Sequence, residues 1–106
     1  MRTLEYTVSG QRLRRASGCS FNHIIVGSKN FLRTRFTFRS SEWLYMTKVA
    51  VFRTKTTTEY IPLNNMGECD IPDNITESLT FTVQIIGVSS KQQVPTNENT
   101  IRQEEP

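Results

Sequence analysis

Apolar and polar positions alternate with a period of two in short runs, each broken by turn-forming residues. Leu4-Glu5-Tyr6-Thr7-Val8 predicts a strand closed by Ser9-Gly10, and Asn22-His23-Ile24-Ile25-Val26 a second closed by Gly27-Ser28. The alternation is clearest from Phe31 to Arg39. There Leu32, Thr34, Phe36 and Phe38 point one way, and Phe31, Arg33, Arg35, Thr37 and Arg39 the other. Further strands are predicted over Thr47–Arg53, Thr58–Leu63, Glu68–Ile71, Leu79–Ile85 and Lys91–Val94. Pro62 implies an edge or a strand end, Asn64-Asn65-Met66-Gly67 a turn, and Gly87 a bulge. About eight short strands separated by turns predict an all-β fold, a small antiparallel β-sandwich or barrel. Phe36, Phe38, Trp43, Phe52 and Phe81 stand at inward or anchor positions and are the expected core.

Composition strengthens this reading. Thr occurs 14 times and Ala twice, while Val, Ile and Phe together make 21 of 106 residues. That balance favours pleated sheet over helix. No run approaches the roughly 18 apolar residues of a membrane helix, so no membrane partner is expected. The opening Met1-Arg2-Thr3-Leu4-Glu5-Tyr6 lacks the apolar stretch of a secretory leader. Residues 1–95 are read as one domain. Residues 96–106 are read as a polar tail that needs contacts in an assembly to become ordered.

Charge is unevenly placed. Residues 1–40 hold eight basic side chains and one acid, a net of +7, whereas residues 41–106 hold five basic and nine acidic side chains, a net of −4. Such polarity suits a subunit that sets its basic side against an acidic neighbour, or a nucleic-acid binder. The candidate docking residues are Arg12, Arg14, Arg15, Arg33, Arg35 and Arg39, with Ile101 and Arg102 from the tail. Arginines beside Phe31 suggest a platform for single-stranded nucleic acid. One aromatic makes a poor platform, because Phe36 and Phe38 fall on the opposite face.

Candidate chemistry is sparse. His23 has no Asp or Glu within three residues, Gly18-Cys19-Ser20 lacks the nucleophile elbow, and no phosphate loop or dinucleotide fingerprint occurs. Cys19 and Cys69 show no metal-ligand spacing and read as two small thiols. Glu68, Asp70 and Asp73 read as a solvated edge rather than a calcium site. No catalytic residue, metal or cofactor is expected, and the chain is not expected to be an enzyme.

One ordered series resembles a known family. Glu42-Trp43, Thr47-Lys48-Val49-Ala50-Val51-Phe52-Arg53, Tyr60-Ile61-Pro62-Leu63-Asn64 and Cys69-Asp70-Ile71-Pro72 come first. Phe81-Thr82-Val83-Gln84-Ile85-Ile86-Gly87-Val88 and Thr96-Asn97 continue it. Across residues 36–97 this resembles the immunoglobulin-like β-sandwich module of tailed-bacteriophage structural proteins, which often opens a baseplate or receptor-binding protein. The resemblance implies an immunoglobulin-like sandwich and a non-enzymatic virion protein, assembled in the host cytoplasm and present in multiple copies per particle. Baseplate members carry a long distal region, whereas this sequence ends at Pro106. A capsid decoration protein is therefore expected first, and a tail, baseplate or fibre-attachment adaptor second. The expected partners are the major capsid protein or tail and fibre proteins. A small single-strand nucleic-acid-binding barrel is the alternative from another class.

Overall fold

The computed structural model describes residues 1–106. Nine strands form two sheets: β1 (Arg2–Ser9), β2 (Arg12–Arg15), β3 (Leu32–Phe38), β4 (Thr47–Arg53), β5 (Thr58–Pro62), β6 (Glu68–Asp70), β7 (Thr80–Val88), β8 (Gln93–Pro95) and β9 (Asn99–Arg102). One 3-10 turn (Ser41–Trp43) and one single-turn helix, α1 (Asp73–Thr76), interrupt them. The first sheet runs β2-β1-β3-β6; the second runs β5-β4-β7, with β8 and β9 both paired to β7. The fold is the β-sandwich that the alternation predicts. All neighbours are antiparallel except β1 and β3, which run parallel. Parallel neighbours need a crossover of a dozen or more residues, and here residues 10–31 supply it.

Alternation places the core between the sheets. Leu4, Tyr6 and Val8 of β1 and Leu32, Thr34 and Phe36 of β3 are buried on the inner face of the first sheet. Ala50 and Phe52 of β4, with Phe81, Val83 and Ile85 of β7, close the core from the second sheet. Four of the five expected anchors, Phe36, Trp43, Phe52 and Phe81, are buried; Phe38 is half-buried and tilts against Trp43 with centroids 5.3 Å apart. Tyr6 stacks on Phe36 at 5.3 Å, and its hydroxyl donates to Asn99 Oδ1 of the opposite sheet at 3.1 Å. Burial raises the Tyr6 phenol well above its ordinary range, against a lowering by Arg15, so this cross-sheet donor stays protonated.

Several local expectations are corrected. Residues 22–26 are not a strand: His23 has φ 58°, and the segment keeps only one isolated bridge, Ile25 to Glu104. Its carbonyls are met by a side chain instead of a ladder, since the Arg2 guanidinium donates to the oxygens of Ser20, Asn22 and His23 at 2.7–3.2 Å. Gly87 makes no bulge, because the β4–β7 register runs unbroken from Thr82 to Val88. A Cβ at Gly87 would lie 2.6 Å from both Trp43 Cζ3 and Met46 Sδ. The glycine is there so that the indole can lie flat on the sheet. Pro62 does end the edge strand β5.

The register step lies elsewhere. Paired positions along β7 and β8 sum to one value, and those along β7 and β9 to a value larger by one. Asn97 is the extra residue, displaced from the second sheet toward β2 of the first. Its side-chain amide donates to the Leu13 carbonyl at 3.1 Å and its oxygen accepts from the Leu13 N–H at 2.6 Å. A side chain thus stands in for a neighbouring strand and closes one flank of the sandwich.

The segment read as a polar tail belongs to the fold. Residues 99–102 form β9, and Ile101 is 1% exposed opposite Phe81. The Gln103 amide is buried and donates to the carbonyls of Thr76 and Ser78 at 2.8 and 2.7 Å. Strand pairing with β7 and one buried aliphatic offset the ordering entropy that a free tail could not.

Candidate docking surface

The arginine stripe falls on the outer face of the first sheet, as the alternation requires. Arg33 and Arg35 are consumed there. Register sets Arg33 opposite Asp70 and Arg35 opposite Glu68. Arg33 Nε donates to Asp70 Oδ1 at 3.0 Å, Arg35 Nε to Glu68 Oε2 at 2.7 Å, and Arg35 Nη1 lies 3.7 Å from Glu5 Oε1. These cross-strand pairs neutralise the stripe. Glu68 is only 7% exposed, yet the Arg35 hydrogen bond, helped by Asn64 and Arg33, outweighs burial and holds its carboxyl below the usual range.

A pH dependence follows. A carboxyl whose folded pKa is depressed stabilises the fold above its unfolded value, near 4.5, and that stabilisation is lost as pH falls through the folded value. Urea unfolding midpoints should drop below pH 4.5, and Glu68→Gln should flatten that acid limb. An unchanged slope in the variant would show that other carboxylates carry it.

The remaining candidates divide. Arg15 is structural: its guanidinium lies 4.5 Å from the Phe21 ring centroid and donates to Asn99 Oδ1 and the Thr100 carbonyl at 3.2 and 2.8 Å. Ile101 is in the core and offers no docking surface. Arg102 is exposed at the end of β9, opposite Thr80 of β7.

Arg12, Arg14 and Arg39 are exposed and make no ion pair. Arg14 stands opposite Thr7, which stands opposite Thr37; Arg12 stands opposite Ser9. Arg39 continues β3 beside β1, its N–H donating to the Val8 carbonyl at 2.8 Å. At about 4.8 Å between strands, Arg12 and Arg39 flank β1 with their Cα atoms about 10 Å apart. The result is three unneutralised guanidinium groups around hydroxyl side chains, on the outer face of the first sheet. Such a face suits carboxylates or phosphates presented on a surface.

Other candidate chemistry is quickly placed. His23 Nδ1 lies 3.2 Å from Glu104 Oε2, both largely exposed. Cys19 and Cys69 are free thiols. Burial pushes the Cys69 thiol up to about 11, against a lowering by the Thr34 hydroxyl that meets its sulfur at 3.3 Å. A neutral, buried thiol is a poor nucleophile.

One feature had no counterpart among the sequence candidates. A cleft of about 260 Å³ opens at the end of the sandwich near Trp43, between the segment after the 3-10 turn and the Asn64–Gly67 turn. Leu44 and Met66 line it and are exposed.

The chain matches no family model and no curated protein.

Proposed function

We propose that this protein is a non-enzymatic structural subunit of a tailed-bacteriophage virion, a capsid decoration protein in its simplest form. A tail, baseplate or fibre-attachment adaptor is the variant of the same role. The ordered motif series over residues 36–97 supports the phage assignment, and the β-sandwich is the architecture that series implies. The observation that carries a docking role is the set Arg12, Arg14 and Arg39, three exposed arginines without carboxylate partners on one sheet face. The partner is then an acidic surface on the major capsid protein or on a tail or fibre protein, met in multiple copies per particle. Nucleic acid is disfavoured because Thr7, Ser9 and Thr37, not aromatic rings, lie between these arginines.

The test is loading onto particles that lack the subunit. Charge reversal of all three arginines (Arg12→Glu, Arg14→Glu, Arg39→Glu) touches exposed positions, each within about 0.5 kcal/mol of neutral for folding. The folded variant should fail to load, and wild-type loading should fall with rising salt. Wild-type loading by the variant would refute the arginine face. Tight binding of the wild type to single-stranded oligonucleotides, with a steep salt slope, would favour the nucleic-acid class instead.

A further inference from the structure

The three most exposed large apolar side chains are Tyr45 at 93%, Met66 at 72% and Leu44 at 68%. Single exposed apolar residues are ordinary, but these come from two loops that meet at one pole of the sandwich. Leu44 and Met66 line the same cleft, Tyr45 follows Leu44, and Phe38 and Trp43 form part of its wall. The loops are held in place. The Trp43 indole N–H donates to the Gly10 carbonyl at 2.8 Å, and the Gly10 N–H donates to Ser40 Oγ at 2.7 Å. Asn64 Oδ1 accepts from the N–H groups of Met66 and Glu68, both at 2.9 Å. A preorganised apolar pole loses little entropy on binding, which is how interface anchors reach useful affinity.

Charge decides what kind of occupant fits. Lys48 is the one charged residue lining the cleft; its ammonium lies 5.4 Å from the Phe38 ring centroid and has no carboxylate partner. Arg39, next to Ser40 of the cleft wall, is likewise unpaired. Glu42 is the acid in the adjoining 3-10 turn and points toward Gly10 rather than the cleft, with Oε1 3.9 Å from the Cβ position there. Shape narrows the choice further. A bilayer would receive protruding side chains, but it has no group shaped to fill a concavity.

We propose that this pole captures an exposed segment of a partner protein in which an aliphatic side chain is flanked by carboxylates. The aliphatic group enters between Leu44 and Met66, and a carboxylate meets Lys48. This pole adjoins the arginine face at Arg39, but the proposal does not depend on the virion reading.

The experiment is an amide NMR titration of the whole chain with a blocked Glu-Asp-Leu-Asp-Glu peptide to about 5 mM, a range that captures millimolar affinity. Lys-Ser-Leu-Ser-Lys is the control peptide, and phosphatidylcholine–phosphatidylserine vesicles form a third arm. Saturable shifts are expected at the Trp43 indole N–H and in residues 40–48 and 64–67 with the acidic peptide alone. Lys48→Gln should weaken them about tenfold. Leu44→Ser with Met66→Ser, at positions already in water, should abolish them while leaving the remaining spectrum intact. No shifts with the acidic peptide, or equal shifts with the basic one, would overturn the proposal. Vesicle binding that depends on Tyr45 would overturn it in favour of a membrane surface.

Discussion

Phe52→Ala should lower the unfolding free energy by about 3–5 kcal/mol, the range for truncating a fully buried Phe. Phe52 is at the centre of β4, buried between the sheets and paired in register with Glu59 on one side and Val83 on the other. Its neighbours on the core face, Ala50 and Ile85, belong to rigid strands and cannot collapse into the space. Domains of this size are stable by about 5–15 kcal/mol, so the variant should sit near the edge of folding. Urea unfolding followed by Trp43 fluorescence reads this directly. With a urea slope of about 1–3 kcal/mol per molar, the midpoint should fall by about 1–5 M. A change under about 1 kcal/mol would mean that the core is not where β4 places it.

Ile101→Ala separates two views of the C-terminal segment. As a docking residue on a free tail, Ile101 would be neutral for folding, within about 0.5 kcal/mol. As a core residue of β9, opposite Phe81 and 1% exposed, its truncation should cost about 2–5 kcal/mol. The loss should also reach the loop that the segment holds. The Val26 N–H donates to the Glu104 carbonyl at 2.9 Å, and the Glu104 N–H to the Ile24 carbonyl at 2.7 Å. Hydrogen exchange at Val26 and Glu104 should therefore accelerate together in the variant. Unchanged stability with unchanged exchange would return the segment to the status of a tail.

Legibility followed the strength of alternation. β3 and β7 were readable because each sets three apolar side chains along one alternating face, and β4 because Val49 to Phe52 is an unbroken apolar run; these strands position the core. β2 and β9 were not, since each buries one apolar residue, Leu13 or Ile101, among polar ones. Their pairing is decided by partners distant in sequence: Asn97 clamps β2, and β7 recruits β9. The run at 22–26 shows the converse error. Three adjacent aliphatics imitate a strand where φ at His23 and the Arg2 contacts build a loop.

The docking surface was legible in part. The alternation correctly put Arg33, Arg35 and Arg39 on one face, but one strand cannot show what lies across the sheet. β6 brings Glu68 and Asp70 to Arg33 and Arg35, so the stripe that looked richest is the one neutralised. The free arginines are those with no acidic strand alongside. The pole formed by Leu44, Tyr45 and Met66 did leave a signal. Apolar residues within a segment of turn formers, as in Asn64-Asn65-Met66-Gly67, have no core face to turn to.

Electron cryo-microscopy of particles assembled with and without this protein tests the virion assignment most directly. The account predicts added density at regularly repeated sites, each fitting one sandwich of 44 × 31 × 21 Å, with the face bearing Arg12, Arg14 and Arg39 turned toward an acidic neighbour. Particles that are identical with and without the protein would contradict it.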